Sequence, residues 1–92
     1  ELLGNFKLTA YCNCSICCGK WSGGPTASGT MPTQGRTVAM AGVPFGTKLI
    51  INGKIYTVED RGTPYGHVDI YMNDHDECNQ FGVQYAQVYL AK

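Results

Sequence analysis

Charge is scarce in this chain. Only 15% of its 92 residues are Asp, Glu, Lys or Arg, and seven basic side chains balance seven acidic ones to a formal net charge of zero. Nucleic-acid binding draws much of its affinity from Lys and Arg neutralising phosphates, so this balance argues against a nucleic-acid partner. No basic amphipathic stretch is present either, which argues against docking on an anionic membrane surface. Long apolar runs are also missing: the uninterrupted ones span only a few residues, and no membrane insertion is expected. Internal repeats and linkers are absent, so residues 1–92 read as one domain. The chain starts at Glu1 without the basic and apolar segments of a leader. The expectation is a processed or excised domain of a larger protein.

Cysteine, glycine and tyrosine are abundant instead. Five cysteines in so short a chain point to an oxidising, extracytoplasmic compartment, secreted or attached to a cell wall. Four crowd together as Cys12, Cys14, Cys17 and Cys18, and the fifth is Cys78. The odd count means that at least one thiol stays free, pairs with another molecule or binds metal. A neutral surface rich in Tyr and Gly suits a carbohydrate. A chain of this size buries roughly two-thirds of its unfolded surface, enough for one modest core.

Short strand patterns alternate with turn signals. Asn5–Tyr11 sets Phe6, Leu8 and Ala10 against Lys7, Thr9 and Tyr11, the period of a half-buried strand. Cys12–Gln34 has no apolar period and reads as a long Cys-rich loop, pinned or functional at that length. Thr37–Met40 is a short strand, and Val43-Pro44-Phe45-Gly46-Thr47 a tight turn. Lys48–Ile51 and Lys54–Glu59 flank Asn52-Gly53, the signature of a two-residue type I′ hairpin. His67–Tyr71 is a strand with Val68 and Ile70 on one face and Asp69 and Tyr71 on the other. Asp74 three residues before Glu77 predicts a capped helix over about Asp74 to Phe81, stopped by Gly82. Gln84–Leu90 is the last strand. Six strands and one helix without βαβ spacing predict a mainly β closed barrel.

Chemistry concentrates in Asp60–Tyr71. Asp60 and Asp69 stand nine positions apart, at the end of one strand and within the next, and a glycine-containing loop can bring them to one cleft. Partial burial and a neighbouring carboxylate both raise a carboxyl pKa, keeping Asp69 protonated as a general acid requires. The bland alternative is that both residues cap turns and strand ends.

Five segments taken together resemble a known family. They are Thr9-Ala10-Tyr11-Cys12, Val43-Pro44-Phe45-Gly46-Thr47-Lys48-Leu49, Val58-Glu59-Asp60-Arg61-Gly62, Val68-Asp69-Ile70-Tyr71 and Phe81-Gly82. In order and spread they are similar to the three-Asp (3D) domain, related to the membrane-bound lytic transglycosylase A family. The resemblance implies a six-stranded double-psi β-barrel. It further implies cleavage of peptidoglycan glycan strands between N-acetylmuramic acid and N-acetylglucosamine, with a 1,6-anhydro sugar as product. Asp69 matches the family's catalytic acid/base and Asp60 its supporting aspartate. Thr9, Tyr11, Gly62 and His67 are the expected substrate-binding residues, and no cofactor is needed. The chain departs from the family at Val38-Ala39-Met40-Ala41-Gly42, where a further Asp is usual. The loop after Asp60 is more like that of rare lipoprotein A and the expansins. They share the barrel, and expansins loosen walls without hydrolysis. A non-catalytic module that binds or loosens cell-wall glycan is therefore the alternative.

The remaining residues leave several readings. Cys12, Cys14, Cys17 and Cys18 with His75 and Cys78 have thiolates and imidazole enough for zinc, yet lack two separated Cys-x2-Cys pairs. Disulfides are the expectation, with Cys78 stapling the long loop to the helix and no metal bound. A cysteine nucleophile beside His67 or His75 lacks any local protease signature. His67 is either an exposed loop-end side chain or part of the cleft. Asp74, Asp76 and Glu77 suit a solvated helix cap, and are too short a cluster for a calcium loop. Lys20, Trp21 and Tyr65 are further candidates for sugar contact. A Cys-rich structural domain, with both Asp residues incidental, is the third reading.

Overall fold

The computed structural model describes residues 2–12, 25–61 and 65–91. Six strands run β1 Leu2–Tyr11, β2 Thr37–Ala39, β3 Lys48–Ile51, β4 Lys54–Asp60, β5 His67–Tyr71 and β6 Gln84–Leu90, and one helix, α1, spans His75–Phe81. They close into a barrel in the order β1-β5-β2-β4-β3-β6, with β6 returning to β1. Two neighbouring pairs, β1/β5 and β2/β4, are parallel, and the other four are antiparallel. Over the described residues the protein is therefore mainly β, a closed six-stranded barrel with one short helix. Its mixed order is compatible with double-psi winding.

Alternation fills the barrel. Phe6 and Leu8 of β1, Val38 of β2, Leu49 and Ile51 of β3, Val58 of β4, Val68 and Ile70 of β5 and Val88 of β6 point inward with Met40 as one buried cluster. Closure leaves no free edge among the described strands, which is how so small a mainly β domain avoids edge-to-edge association. The hairpin between β3 and β4 turns through Asn52 and Gly53, both with positive φ (52° and 79°), as a type I′ turn demands. Asp74 caps α1 by accepting from the Asp76 amide, and Gly82 ends it by donating to the Cys78 carbonyl.

Glycine is required at one further place. Gly42 has φ +90°, and a Cβ there would stand 2.4 Å from a ring carbon of Tyr65. Any larger residue would displace that ring, which also meets Phe6 edge-on at 5.6 Å between centroids.

Three boundaries differ from the sequence expectation. β1 begins at Leu2 rather than Asn5, because its first residues pair with Tyr89 and Val88 of β6. That pairing joins the two ends of the chain, and local period carries no trace of it. β2 ends at Ala39, and the next amide, of Met40, bonds to the Asp60 carbonyl. β4 runs one residue longer, so Asp60 is strand-borne.

Glu59 is the buried acid among the described residues. Its carboxylate accepts from Thr37 Oγ1 at 2.6 Å and pairs with Arg36 Nε at 2.9 Å. Burial pushes its pKa up, but the Thr37 hydroxyl and Arg36 more than offset this, and it lies below the ordinary glutamate value. Thr37→Val is expected to destabilise the fold by about 1–2 kcal/mol at neutral pH, since it strips a donor from a buried acceptor. The native carboxylate's contribution is complete above the ordinary glutamate pKa and fades as pH falls through the depressed folded value. Denaturant titrations at pH 7 and pH 3 would therefore show the gap between variant and parent narrowing in acid.

Candidate functional site

Parallel pairing of β1 and β5 assembles the site. The register sets Lys7 beside His67, Thr9 beside Asp69 and Tyr11 beside Tyr71. Residues opposite one another share a face, so the outward positions of β1 meet the outward positions of β5. Thr9 Oγ1 donates to Asp69 Oδ1 at 3.0 Å and lies 2.6 Å from His67 Nε2. Its single proton goes to Asp69, so it accepts at His67 while Asp69 is ionised.

Asp60 joins from the other side of β2. Ala39 pairs with Asp69 across β5 and with Asp60 across β4. Two strand spacings put the aspartate Cα atoms roughly 10 Å apart, with only a methyl between. A register shift makes this possible. Val38 pairs with Val58, but Ala39 pairs with Asp60, so Glu59 is passed over. Such shifts re-aim side chains beside functional sites. Here Glu59 turns to Thr37 and Arg36, and Asp60 takes the face of Asp69.

The two aspartates have different surroundings. Asp60 accepts three hydrogen bonds: from the Ala27 amide at 2.9 Å, its neighbour Arg61's amide at 2.9 Å, and Tyr11 Oη at 3.1 Å. Asp69 is half-buried. Burial pushes its carboxyl above the ordinary aspartate value, against the Thr9 hydrogen bond and His67, while the charge of Asp60 pushes the same way as burial. One carboxyl is thus an anchored acceptor and the other a group inclined to hold its proton.

The structure brings Thr9, Tyr11, His67, Asp60 and Asp69 together on one face. His67 is part of β5 and half-buried rather than an exposed loop end. Gly62, the fourth expected substrate contact, lies outside the described residues, as do Lys20 and Trp21. Tyr65 is 62% exposed, with its ring against Gly42.

Sequence reasoning missed several supports. The Ala27 amide belongs to a turn in which Thr26 N donates to Thr30 O and the Ser28 amide donates to Glu59 O. No side-chain pattern marks a backbone donor, although Thr-Ala-Ser-Gly-Thr is a turn composition. Tyr71, 7% exposed, meets the Tyr11 ring edge-on at 5.4 Å and orients its hydroxyl toward Asp60. Arg61 donates to the Met40 and Val43 carbonyls and stacks over Phe45 at 4.1 Å, tying the turn before β3 to the end of β4.

Cys12 and Cys78 are both buried, which disfavours either as an open nucleophile. Cys12 Sγ lies 3.6 Å from His75 Nδ1, where the end of β1 meets α1. Cys14, Cys17 and Cys18 lie outside the described residues, and with them the expected staple to Cys78. Among the described residues no three His, Cys, Asp or Glu side chains gather as a metal site. Asp76 and Glu77 are exposed in the first turn of α1.

No known family model matches the chain, and no curated protein matches it.

Proposed function

We propose that the protein is a peptidoglycan lytic transglycosylase with Asp69 as its general acid and base. The observation that carries this reading is the contrast between the two carboxyls: Asp69 half-buried with its pKa raised, Asp60 held by three donors one strand beyond Ala39. The motif resemblance supplies the substrate class, glycan strands outside the cytoplasm, and the neutral composition suits an uncharged sugar chain.

The chemistry needs one proton, used twice. Protonated Asp69 donates to the oxygen linking C1 of N-acetylmuramic acid to N-acetylglucosamine, and the C1–O bond breaks. The oxocarbenium ion at C1 is captured by the same sugar's 6-hydroxyl. The hydroxyl proton passes to the Asp69 carboxylate, restoring the acid. Water does not attack, so no second carboxylate at a fixed separation is required, unlike in ordinary glycosidases. Asp60 bears on the step through its charge, which favours the proton on Asp69. Tyr11 holds Asp60 in place, and Thr9 holds Asp69.

Mass spectrometry of purified peptidoglycan digested with the protein tests this. The expected products are 1,6-anhydro-muropeptides. Reducing-end products would mean hydrolysis. Glycan binding with no product would transfer the site to a wall-loosening or wall-binding role.

A further inference from the structure

We propose that His67 is a positioning residue that shares one proton with Asp69 through the Thr9 hydroxyl. The inference rests on the reading of Asp69 as acid/base, and adds which neighbour can take up and return its proton.

The argument is geometric. Three groups lie in a line of contacts: His67 Nε2 to Thr9 Oγ1 at 2.6 Å, and Thr9 Oγ1 to Asp69 Oδ1 at 3.0 Å. A hydroxyl donates one hydrogen and accepts others, so the chain can run in either of two directions. In the first, His67 is an imidazolium with protons on both Nδ1 and Nε2, Nε2–H donates to Thr9, and Thr9 donates to the Asp69 carboxylate. In the second, Asp69 Oδ1–H donates to Thr9, and Thr9 donates to His67 Nε2, whose proton is then on Nδ1. The two states contain the same atoms and protons. Conversion moves the Thr9 proton in one direction as its replacement arrives from the other side, with no further reactant. The second state is the general acid.

The strand register makes the chain a fixed device. His67 and Asp69 are two residues apart on β5, on one face, and Thr9 stands directly across from Asp69 on the parallel β1. Among the described residues, the other titratable or charged groups on the neighbouring strands are Lys7 beside His67 on β1, Tyr11 on β1, Tyr71 on β5, and Asp60 ending β4 across Ala39. Arg61, next after Asp60, has its guanidinium on the Met40 and Val43 carbonyls. Asp60 acts on the Asp69 proton through charge in the sense opposite to His67.

Carbon-13 NMR of the Asp69 carboxyl and nitrogen-15 NMR of the His67 ring, followed against pH in the whole chain, test the proposal. In the parent protein the Asp69 signal is expected to show two inflections, one of them shared with the His67 ring, as coupled sites do. His67→Gln should leave one inflection, moved to higher pH because the opposing charge of His67 is gone. Thr9→Val should weaken the coupling and Thr9→Ser restore it. A single Asp69 inflection in the parent, unmoved by His67→Gln, would overturn the assignment. The NMR readout does not depend on turnover. Coupled titration in a protein that makes no anhydro product sinks the transglycosylase reading and leaves the shared proton standing. Where product forms, the basic limb of its pH profile should shift in His67→Gln, an effect that simple loss of packing would not give.

Discussion

Asp69→Asn is expected to lower anhydro-muropeptide formation roughly a hundred- to ten-thousand-fold, the range that general acid–base catalysis contributes, while making the protein harder to unfold. The two effects have one cause. Asp69 is half-buried and its carboxyl is raised by that burial. A raised folded pKa means that above it the native state carries a charge better solvated in the unfolded chain. The penalty is full above the folded value, shrinks as pH falls through it, and is gone below the unfolded value. Asparagine is neutral, nearly the same shape, and can still accept from Thr9 Oγ1. A gain on the order of 1 kcal/mol is expected at pH 7, about 4–8 °C in Tm for a domain this small. Thermal melts at pH 7 and pH 3, run beside the digest, check both halves. A variant that loses activity and stability together would mark Asp69 as structural. One that keeps activity would remove it from the chemistry.

Leu8→Ala should be the most damaging single truncation in the β1 core. Leu8 is fully buried, pairs with Val68 of β5 and Gln84 of β6, and belongs to the central cluster. Removing three carbons from a site enclosed by strands leaves a cavity that a closed barrel cannot collapse around. Such truncations cost about 2–5 kcal/mol, a large share of the roughly 5–15 kcal/mol that holds a domain folded. Leu8→Met, which conserves volume, should cost less than about 1.5 kcal/mol. Leu8 also sits next to Thr9, so any sag of β1 lengthens the bond to Asp69. Urea titration of the two variants gives the energies. Comparable losses in both would mean that the site tolerates no change of shape, rather than that volume decides.

How much of this was legible in the residues varies by element. Strict alternation gave away β1, β5 and the inward set of Phe6, Leu8, Val68 and Ile70. Asn52-Gly53 located the hairpin, and Asp74 with Gly82 bracketed the helix, because caps and turns depend on neighbours in sequence. Asp60 and Asp69 could be named as candidates from the motifs around them, but nothing there says that β2 would stand between their strands. What remained hidden depends on partners far along the chain. Thr37, Val38, Ala39 and Met40 are all buried, so the run could be read as a short strand, but with no alternation to say that it would stand between β4 and β5. The amide of Ala27 reaches Asp60 across 33 positions. Nothing in Val-Glu-Asp says which acid will face outward.

That last ambiguity is resolved by a slip of one residue against β2, and it has a consequence for how the chain tolerates change in length. Glu59 and Asp60 are adjacent carboxylates with separate duties, one tied into the fold and one presented beside Asp69. The division of labour resides in the count of residues more than in their chemistry. Exchanging the two side chains would leave composition, charge and hydrophobic pattern unaltered, yet would send the shorter acid toward Arg36 and the longer one into the space above Ala39. Deleting one residue from this segment would force a choice between the two duties. The stretch from Val58 to Arg61 should therefore accept substitution more readily than any insertion or deletion, although it lies at a strand end, where length is usually free to vary.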